Sequence, residues 1–502
     1  MQVVWLKRDL RIADHAPLAQ AAKLGPCIGL YVYEPEWWEA PDFDVSHLQF
    51  VNESLRELDQ AFKQRGGQLV YRVGRMPDVL ADLHRQVPIE RLWSHQETGN
   101  GVTYARDKRV ARWCRRQGIP WTEMPQNGVL RGPHDRDGWA RHWKQWTSAP
   151  QARTPETLIP VPELCCESIR TPEDLGLSAT TKRGLQPGGE SLGHETLHDF
   201  LHLSGERYRS EMSSPVTATS SCSRLSPYLA WGNLSIKQVV QATQRRQLEL
   251  QAALRRGNAT GDWLTSLTSF HSRLSWHCHF IQKLEDEPAI EFENMSRVYD
   301  GLRESEFRQS YFDAWCAGQT GYPMVDACMR ALHENSWINF RMRAMLVSFA
   351  AYHLWLHWRP LSLHLARHFL DYEPGIHYSQ VQMQSGTTGI NALRIYSPTK
   401  QVLDQDPSGE FIRQYVPELA EVPREYLAEP FKMPLSVQER VGCRIGRHYP
   451  RPLVEHAKAY RQAQARFAAI RRDPASRQEA QRVFQKHGSR RRPNFRTGFG
   501  RG

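Results

Sequence analysis

Short apolar runs alternate with longer amphipathic stretches in the first part of the chain. The apolar runs cover residues 3–6, 27–33, 68–72, 91–95 and 120–123. Segments with helical periodicity, such as 51–65 and 103–117, lie between them. This alternation predicts βαβ units around a parallel sheet, and therefore an α/β domain over residues 1–130. No GxGxxG follows the first run, so the usual dinucleotide-binding fingerprint is absent.

The pattern changes twice after this domain. Residues 131–193 include a long stretch rich in Pro, Gly, Ser and Thr, and they are predicted to be an interdomain linker. Helical periodicity dominates residues 194–472, as where Tyr322, Val325, Met329 and Leu332 share one face. Residues 473–502 are predicted to be a basic, disordered tail. The chain is thus predicted to be an α/β domain followed by an all-α domain.

Composition narrows the functional classes. The formal net charge of +11 favours an anionic partner and is compatible with nucleic acid. No apolar run reaches the roughly 20 residues of a membrane span, and charges directly follow the first strand, so a cytoplasmic protein is predicted. The 9 cysteines include no CxxC pair. The i,i+4 pairs His353/His357 and His364/His368 lack the HExxH glutamate, so no metal site is predicted.

Four blocks of sequence resemble the photolyase/cryptochrome family. They are 5-WLKRDLRIADH-15, 223-SRLSPYLAWGNLS-235, 320-TGYPMVDACMRAL-332 and 406-DPSGEFIRQYVPEL-419, in the order in which the family has them. The resemblance covers about residues 1–425. It implies a Rossmann-like α/β domain, an all-α FAD-binding domain, and a flavoprotein that uses FAD and blue light.

The second block also makes chemical sense without the resemblance. The pyrophosphate of FAD needs hydroxyls, backbone N–H groups and positive charge, which a serine–arginine loop before a helix supplies. By resemblance, Ser223, Arg224, Leu225 and Ser226 match the phosphate loop, and Cys222 stands where a threonine is common. Tyr208 matches a tyrosine that covers the cofactor. Arg273 matches an arginine that reaches the pyrophosphate.

The resemblance also assigns residues to the flavin ring. Arg343 and Asp371 match the ion pair beside the ring, and Glu373 stands where the family has a second aspartate. The alternative for Arg343 and Asp371 is a structural salt bridge, and the alternative for Glu373 is a surface charge. Tyr378 matches the position facing the flavin N5, and Phe340 occupies a position that is commonly asparagine.

The relay of three tryptophans that many family members use is interrupted in this sequence. Trp358 matches the middle tryptophan, but the position nearest the flavin falls on Met383. A thioether cannot readily replace an indole in electron hopping. A detour is therefore expected through other aromatic side chains, with these candidates: Trp276, Trp337, Tyr352, Trp355 and Tyr378.

The family's repair enzymes bind a flipped pyrimidine dimer in a pocket with a glutamate and a tryptophan. The matching stretch, 263–280, contains no glutamate and offers Ser266, Ser269, His271 and Ser272, with Trp276 one turn on. His271 is the candidate proton donor, since imidazole titrates near neutral pH.

The function expected from this resemblance is a light-driven DNA photolyase acting on ultraviolet photoproducts in DNA. A cryptochrome-like photoreceptor with a protein partner is the alternative. Family members often hold a second, antenna chromophore in the N-terminal domain. Glu97 and Asn100, in 95-HQETGNG-101, are candidate contacts for it, and a plain polar loop is the alternative there.

Overall fold

The computed structural model describes residues 1–132, 136–165 and 167–489. Five parallel strands form the N-terminal sheet in the order β3-β2-β1-β4-β5. They are β1 (Gln2–Leu6), β2 (Cys27–Tyr33), β3 (Gln68–Val73), β4 (Arg91–His95) and β5 (Trp121–Met124). Every residue of β1 and β2 is buried, as expected when helices cover both faces of a parallel sheet. The predicted parallel sheet is confirmed.

Helices are the main regular elements of the rest of the described chain. The first six are α1 (Ala16–Ala21), α2 (Pro35–Trp38), α3 (Val45–Lys63), α4 (Met76–Gln86), α5 (Gly101–Gln117) and α6 (Trp139–Ser148). The next eleven belong to the helical domain: α7 (Glu190–Asp199), α8 (Tyr208–Glu211), α9 (Ala218–Ser221), α10 (Ser226–Ala230), α11 (Ile236–Arg255), α12 (Trp263–Asp286), α13 (Gln309–Cys316), α14 (Pro323–Asn335), α15 (Phe340–Ser348), α16 (Trp358–His368) and α17 (Pro374–Ser385). The last six are α18 (Pro398–Gln405), α19 (Glu410–Tyr415), α20 (Arg424–Leu427), α21 (Leu435–Arg440), α22 (His456–Arg472) and α23 (Pro474–His487). No helix of the described chain is both long enough and apolar enough to cross a membrane.

Local sequence explains the ends of the helices that carry the site. Ser235 begins α11 with a capping box. Its hydroxyl accepts from the Gln238 backbone N–H, and the Gln238 side-chain oxygen accepts from the Ser235 backbone N–H. Pro374 occupies the first turn of α17, where its missing N–H is not needed. Gly386 ends α17 at φ +80, and a Cβ there would lie 2.4 Å from the Tyr352 hydroxyl.

The predicted linker and tail are both partly wrong. Residues 139–148, inside the predicted linker, form α6 and bury Trp139, Trp143 and Thr147 on one face. The tail was predicted to be disordered, but its first part is α23, which buries Ser476, Val483 and His487. Both segments hold a few apolar residues at helical spacing among many polar ones, and the polar composition masked the period. Residues 490–502 lie outside the described residues.

The sheet and the helical domain share one hydrophobic core. Side chains from β2 and α3 pack in the same cluster as Tyr228 and Trp231 of the helical domain. The Trp231 indole donates to the Leu370 carbonyl at 2.8 Å, and Arg8 donates to the Tyr372 carbonyl at 2.7 Å. The segment 370–373 is therefore held from the N-terminal domain.

Candidate functional site

A cavity of about 1420 Å³ opens in the helical domain. It is larger than the roughly 300–1,000 Å³ of most small-ligand sites. Most of the predicted site residues line it: Tyr208, Cys222, Ser223, Arg224, Ser226, His271, Arg273, Phe340, Arg343, Asp371, Glu373 and Met383. Three predicted residues do not: Leu225, Trp358 and Tyr378. The structure thus brings together residues that are far apart in the sequence.

The loop between α9 and α10 presents the predicted phosphate-binding groups to this cavity. Ser223 and Ser226 line the wall, while Leu225 is 1% exposed and anchors the loop in the core. Arg224 has φ +53, a left-handed conformation that non-glycine residues rarely adopt, and its guanidinium lies 4.0 Å from the Trp337 ring centroid. Burial raises the pKa of the Cys222 thiol to about 12, so it is a neutral thiol in the wall.

Tyr208 and Arg273 close this end of the cavity together. Tyr208 packs edge-on against Phe200 and Phe270. Burial raises the pKa of Tyr208 to about 12, although a hydrogen bond with Arg273 opposes the shift. Arg273 also lies over the Trp276 ring, 4.6 Å from its centroid.

Unpartnered polar atoms in the wall match a large polar ligand. Several buried polar atoms of the lining have no hydrogen-bond partner among the described residues, and they include Arg224 Nε, His271 Nε2, Asn339 Oδ1, Arg341 Nε, Gln380 Oε1 and Gln384 Nε2. A buried polar atom with no partner costs about 1–3 kcal/mol, which a ligand can relieve. FAD carries phosphate, ribose and ring atoms able to pair with such donors and acceptors, so these residues fit the cofactor.

Arg343 and Asp371 form the predicted ion pair at the cavity wall. Both terminal nitrogens of Arg343 donate to the Asp371 carboxylate at 2.9 Å, and Nε donates to the Ile338 carbonyl at 2.8 Å. Burial favours the neutral acid, but Arg343 and the Ser226 hydroxyl outweigh it and lower the pKa of Asp371. The pair therefore holds a fixed positive group beside a buried carboxylate.

Glu373 is not the surface charge that was its alternative interpretation. Its side chain is 15% exposed, and its carboxylate lies 3.8 Å from Arg8 of the N-terminal domain. Burial raises the pKa of Glu373 to about 7, and Arg8 opposes this shift. Glu373 is thus a carboxyl in the wall that can hold a proton near neutral pH.

Tyr378, predicted to face the flavin, is not among the residues that line the cavity. Its side chain is buried, and its hydroxyl lies 3.1 Å from the Tyr372 hydroxyl. The cavity is lined instead by His377, Gln380, Val381 and Gln384, spaced three or four residues apart on one helix face. Sequence reasoning missed these four, although their i, i+3, i+4 and i+7 spacing is that of one helix face.

Only one of the two residues assigned to the electron relay lines the cavity. Met383 lines the cavity, whereas Trp358 is fully buried outside its lining and donates to Asn294 Oδ1 at 2.7 Å. Of the predicted detour residues, Trp276 and Trp337 line the cavity. Tyr352 and Trp355 pack instead around Arg303 and Phe467.

Helix α12 forms the wall predicted to hold the lesion. Ser266 faces away from the cavity and donates to the Glu206 carbonyl at 2.6 Å, so it is not a pocket residue. His271 lines the cavity, and burial lowers the pKa of its imidazole, which disfavours the protonated form. Its role as a proton donor stays a prediction. Trp276 is 41% exposed at the rim. Within the described chain, no acidic side chain of α12 reaches the cavity.

Helix α6 supplies a wall that sequence reasoning missed. Trp139, Trp143 and Lys144 line the cavity opposite α12, with Trp139 5.6 Å from His279 and Trp143 6.3 Å from His271 between ring centroids. The spacing of the two tryptophans by four residues was the available signal.

The two candidate antenna contacts, Glu97 and Asn100, pair with other residues of the N-terminal domain. Glu97 pairs with Arg106 at 2.6 Å, and Asn100 caps α5 while donating to Asp42 at 2.8 Å. Both line a cavity of about 70 Å³ between the domains. The antenna contacts stay a prediction.

Comparisons with known proteins agree with this architecture. Residues 2–147 match the family model for DNA photolyase, and residues 270–469 match that for the FAD binding domain of DNA photolyase. The chain is 26% identical to a deoxyribodipyrimidine photo-lyase of Agrobacterium fabrum over 94% of this chain and 98% of that protein. It is also 26% identical to a cryptochrome DASH of Natronomonas pharaonis, over 90% and 98%.

A crystal structure of a bacterial class III photolyase from Agrobacterium tumefaciens superposes with a TM-score of 0.79 at 25% identity, covering 94% of this chain and 98% of the other. Photolyases and cryptochromes are thus matched at similar identity and over nearly the whole length of each. With both domain models matched in order and an FAD-binding domain around the cavity, this chain belongs to the photolyase/cryptochrome family.

Proposed function

We propose that this protein is a light-driven DNA photolyase that repairs pyrimidine photoproducts. The observation that carries the proposal is the single cavity that joins the flavin-binding residues to an aromatic and basic rim. Arg343, Asp371 and the loop 222–226 lie in the same cavity as Trp276, which stands at its edge. The volume of about 1420 Å³ supports binding of a second ligand beside the cofactor.

The lining of the cavity carries an excess of positive charge, which a DNA backbone needs. Basic side chains of the lining outnumber acidic ones: Arg136, Lys144, Arg224, Arg273, Lys283, Arg341, Arg343 and Arg394 against Asp137, Asp371 and Glu373. Phosphate contacts need only positive charge and donors, and they position the strand without reading its sequence. A base flipped out of the helix would then stack on the exposed ring of Trp276.

FAD, when bound, supplies a light-excitable electron donor to the lesion. The residues of this chain position the two partners and exclude water. Arg343 and Asp371 hold a fixed ion pair at the wall, and the aromatic rings of Trp276 and Phe340 shield the opening. Glu373, whose pKa burial raises to about 7, is the candidate substitute for the carboxyl missing from α12.

A cryptochrome-like photoreceptor is the second candidate, and one contact favours it. The end of α23 lines the cavity through His487, whose Nε2 lies 2.6 Å from Glu287. A C-terminal helix at the flavin cavity is placed to respond to the state of the flavin. In that function the helix, and not a DNA lesion, would receive the signal.

The test is repair by purified, photoreduced protein, in light and in darkness. Oligonucleotides that carry one cyclobutane dimer or one (6-4) product are used in single- and double-stranded form, because flipping costs a few kcal/mol less without a partner strand. Light-dependent conversion of either lesion is expected. No conversion of either by fully reduced protein would reject the proposal and favour the photoreceptor.

A further inference from the structure

Three histidines meet between α14 and α16, outside the flavin cavity. His333 lies near the end of α14, and His364 and His368 lie one turn apart on α16. One ring nitrogen of each lies within 4.8 Å of those of the other two. The ring centroids of His333 and His368 are 4.5 Å apart, and those of His364 and His368 are 4.6 Å apart. The i,i+4 pair that the sequence displays is thus joined by a third imidazole from another helix.

Each histidine leaves one buried ring nitrogen without a hydrogen bond. These atoms are Nε2 of His333, Nε2 of His364 and Nδ1 of His368, which have no partner among the described residues. His364 is only 7% exposed. An unpaired buried nitrogen is costly, and three such atoms in one cluster need a common explanation.

Burial keeps the three rings neutral. It lowers the pKa of His364 to about 3 and that of His368 to about 2, and it lowers the pKa of His333 in the same direction. A neutral imidazole has a lone pair free for a metal ion, which a protonated ring lacks. Zinc sites with three histidines and a solvent molecule are a common arrangement of this kind.

Charged neighbours of the cluster act against a cation. Lys182, Arg330 and Arg367 each lower the pKa of one or more of these histidines through their positive charge. Lys182 is itself hydrogen-bonded to Asp44 at 2.9 Å, which offsets part of its charge. Trp315 packs on the other side, 5.5 Å from His364 between ring centroids.

We propose that His333, His364 and His368 bind one divalent transition-metal ion, with Zn²⁺ the best match. Imidazole nitrogens suit zinc, and nitrogens around one tetrahedral zinc lie roughly 3.4 Å apart, so the cluster needs only a small closing movement. The ion links α14 to the end of α16, directly before Phe369 and Asp371, which line the flavin cavity. It stabilises the segment that carries the Arg343–Asp371 pair.

The experiment uses full-length, FAD-loaded protein treated with a chelator and then dialysed against buffered Zn²⁺. Elemental analysis is expected to find one zinc per chain. His333→Gln and His368→Gln are each expected to lower the zinc affinity at least about tenfold. His202→Gln is the matched control, because His198 and His202 stack at 4.6 Å as an i,i+4 pair outside any group of three ligands in the described chain.

Two further measurements make the outcome decisive. Zinc is expected to raise the Tm of the wild type and of His202→Gln, and to raise it less in the two cluster variants, while unchanged flavin absorbance shows that they fold. Cu²⁺ is also bound to wild-type protein whose FAD is oxidised. Its electron paramagnetic resonance spectrum is expected to show splitting from several imidazole nitrogens. The proposal is overturned if the wild type takes up no stoichiometric zinc. It is also overturned if both cluster variants keep wild-type affinity, or if Cu²⁺ shows no imidazole splitting.

Discussion

At the scale of the residue, the site depends on a few side chains held in unusual states. Arg224 occupies left-handed backbone at φ +53, which costs of order 1–3 kcal/mol, and its buried Nε has no partner in the part of the chain that the structure describes. Glu373 is a mostly buried carboxyl, 15% exposed, beside Arg8, with its pKa raised to about 7. Such states persist when the surrounding structure imposes them, and here both residues line one cavity.

The phosphate loop can be tested through FAD occupancy. Arg224→Ala together with Ser226→Ala removes a guanidinium and a hydroxyl from the wall, so the purified protein is expected to carry less FAD. Absorbance of the flavin relative to protein measures this. Ser220→Ala, an exposed serine on α9, is the control and should leave occupancy unchanged. Full flavin retention in the double variant would contradict the assignment of this loop.

Glu373 gives a pH dependence with a defined sign. Its pKa is about 7 in the folded protein against an ordinary value of 4.5, so the folded state holds a proton that the unfolded state has lost. The free energy of unfolding therefore falls as pH rises from about 4.5 through about 7. The free energy of unfolding, measured by urea denaturation across this range, should fall less steeply with pH in Glu373→Gln than in the wild type. The control is Glu156→Gln, at an exposed ion pair, which should keep the wild-type dependence of the free energy of unfolding on pH. The same dependence in Glu373→Gln as in Glu156→Gln would contradict the raised pKa of Glu373.

At the scale of the element, helix faces decide which residues meet the cavity. Helix α17 turns His377 and Gln380 towards the cavity and Tyr378 away from it. Helix α6, inside a segment predicted to be a linker, contributes two tryptophans. Helix α23 is docked by a buried Val483 and by the contact between His487 and Glu287.

The expected detour around the interrupted tryptophan relay can be tested by replacing single tryptophans. Trp358→Phe is expected to leave light-driven flavin reduction in place, because the family resemblance assigns Met383 to the relay position nearest the flavin, where an indole would be needed. Trp337→Phe is expected to slow it, since Trp337 lines the cavity. Bleaching of flavin absorbance under blue light measures both, with Trp146→Phe on α6 as control. Complete loss of photoreduction in Trp358→Phe with flavin still bound would reject the detour.

The docking of α23 can be tested through hydrogen exchange. Burial favours neutral Glu287, but hydrogen bonds from His487 and Lys486 lower its pKa to about 2. Glu287→Gln removes this charge and is expected to speed amide exchange in the last turns of α23. Glu293→Gln, which breaks only an exposed pair with Arg297, is the control. Unchanged exchange in Glu287→Gln would show that the apolar face alone holds the helix.

At the scale of the whole molecule, two domains with different sequence patterns share one core, and the cavity lies in the helical domain beside their junction. Arg8 of the N-terminal domain reaches both Tyr372 and Glu373. The protein has a formal net charge of +11, and the lining of this cavity holds more basic than acidic side chains. An anionic polymer is the partner that such a surface favours.

The salt dependence of DNA binding tests this surface. The affinity for single-stranded DNA is expected to fall steeply with salt, and Arg341→Gln and Arg394→Gln are each expected to reduce the slope of log K against log salt by about 1. Fluorescence anisotropy at several salt concentrations measures it. Arg153→Gln, at an exposed pair with Glu156, should keep the wild-type slope. If all three variants gave the same slope of log K against log salt, the DNA would bind outside this cavity.

Residues close in the sequence were predicted better than residues that meet across the fold. The strand runs, the loop 222–226 and the face of α14 were found because local period and chemistry specify them. The pairing of Arg343 with Asp371 followed only from the family resemblance. The wall formed by α6 was missed, since its tryptophans are far in sequence from the histidines that they face.

The parallel sheet, the helical domain, the family and most of the residues that line the cavity could be found from the sequence, because repeating local patterns and ordered motifs encode them. The tertiary structure was needed to show which face of α17 meets the cavity, that Glu373 lies beside Arg8, and that His333 joins His364 and His368. The physical reason is the same in each case. Burial and the contacts between distant elements set the charge state and the partners of a side chain, and neither is encoded in its near neighbours along the chain.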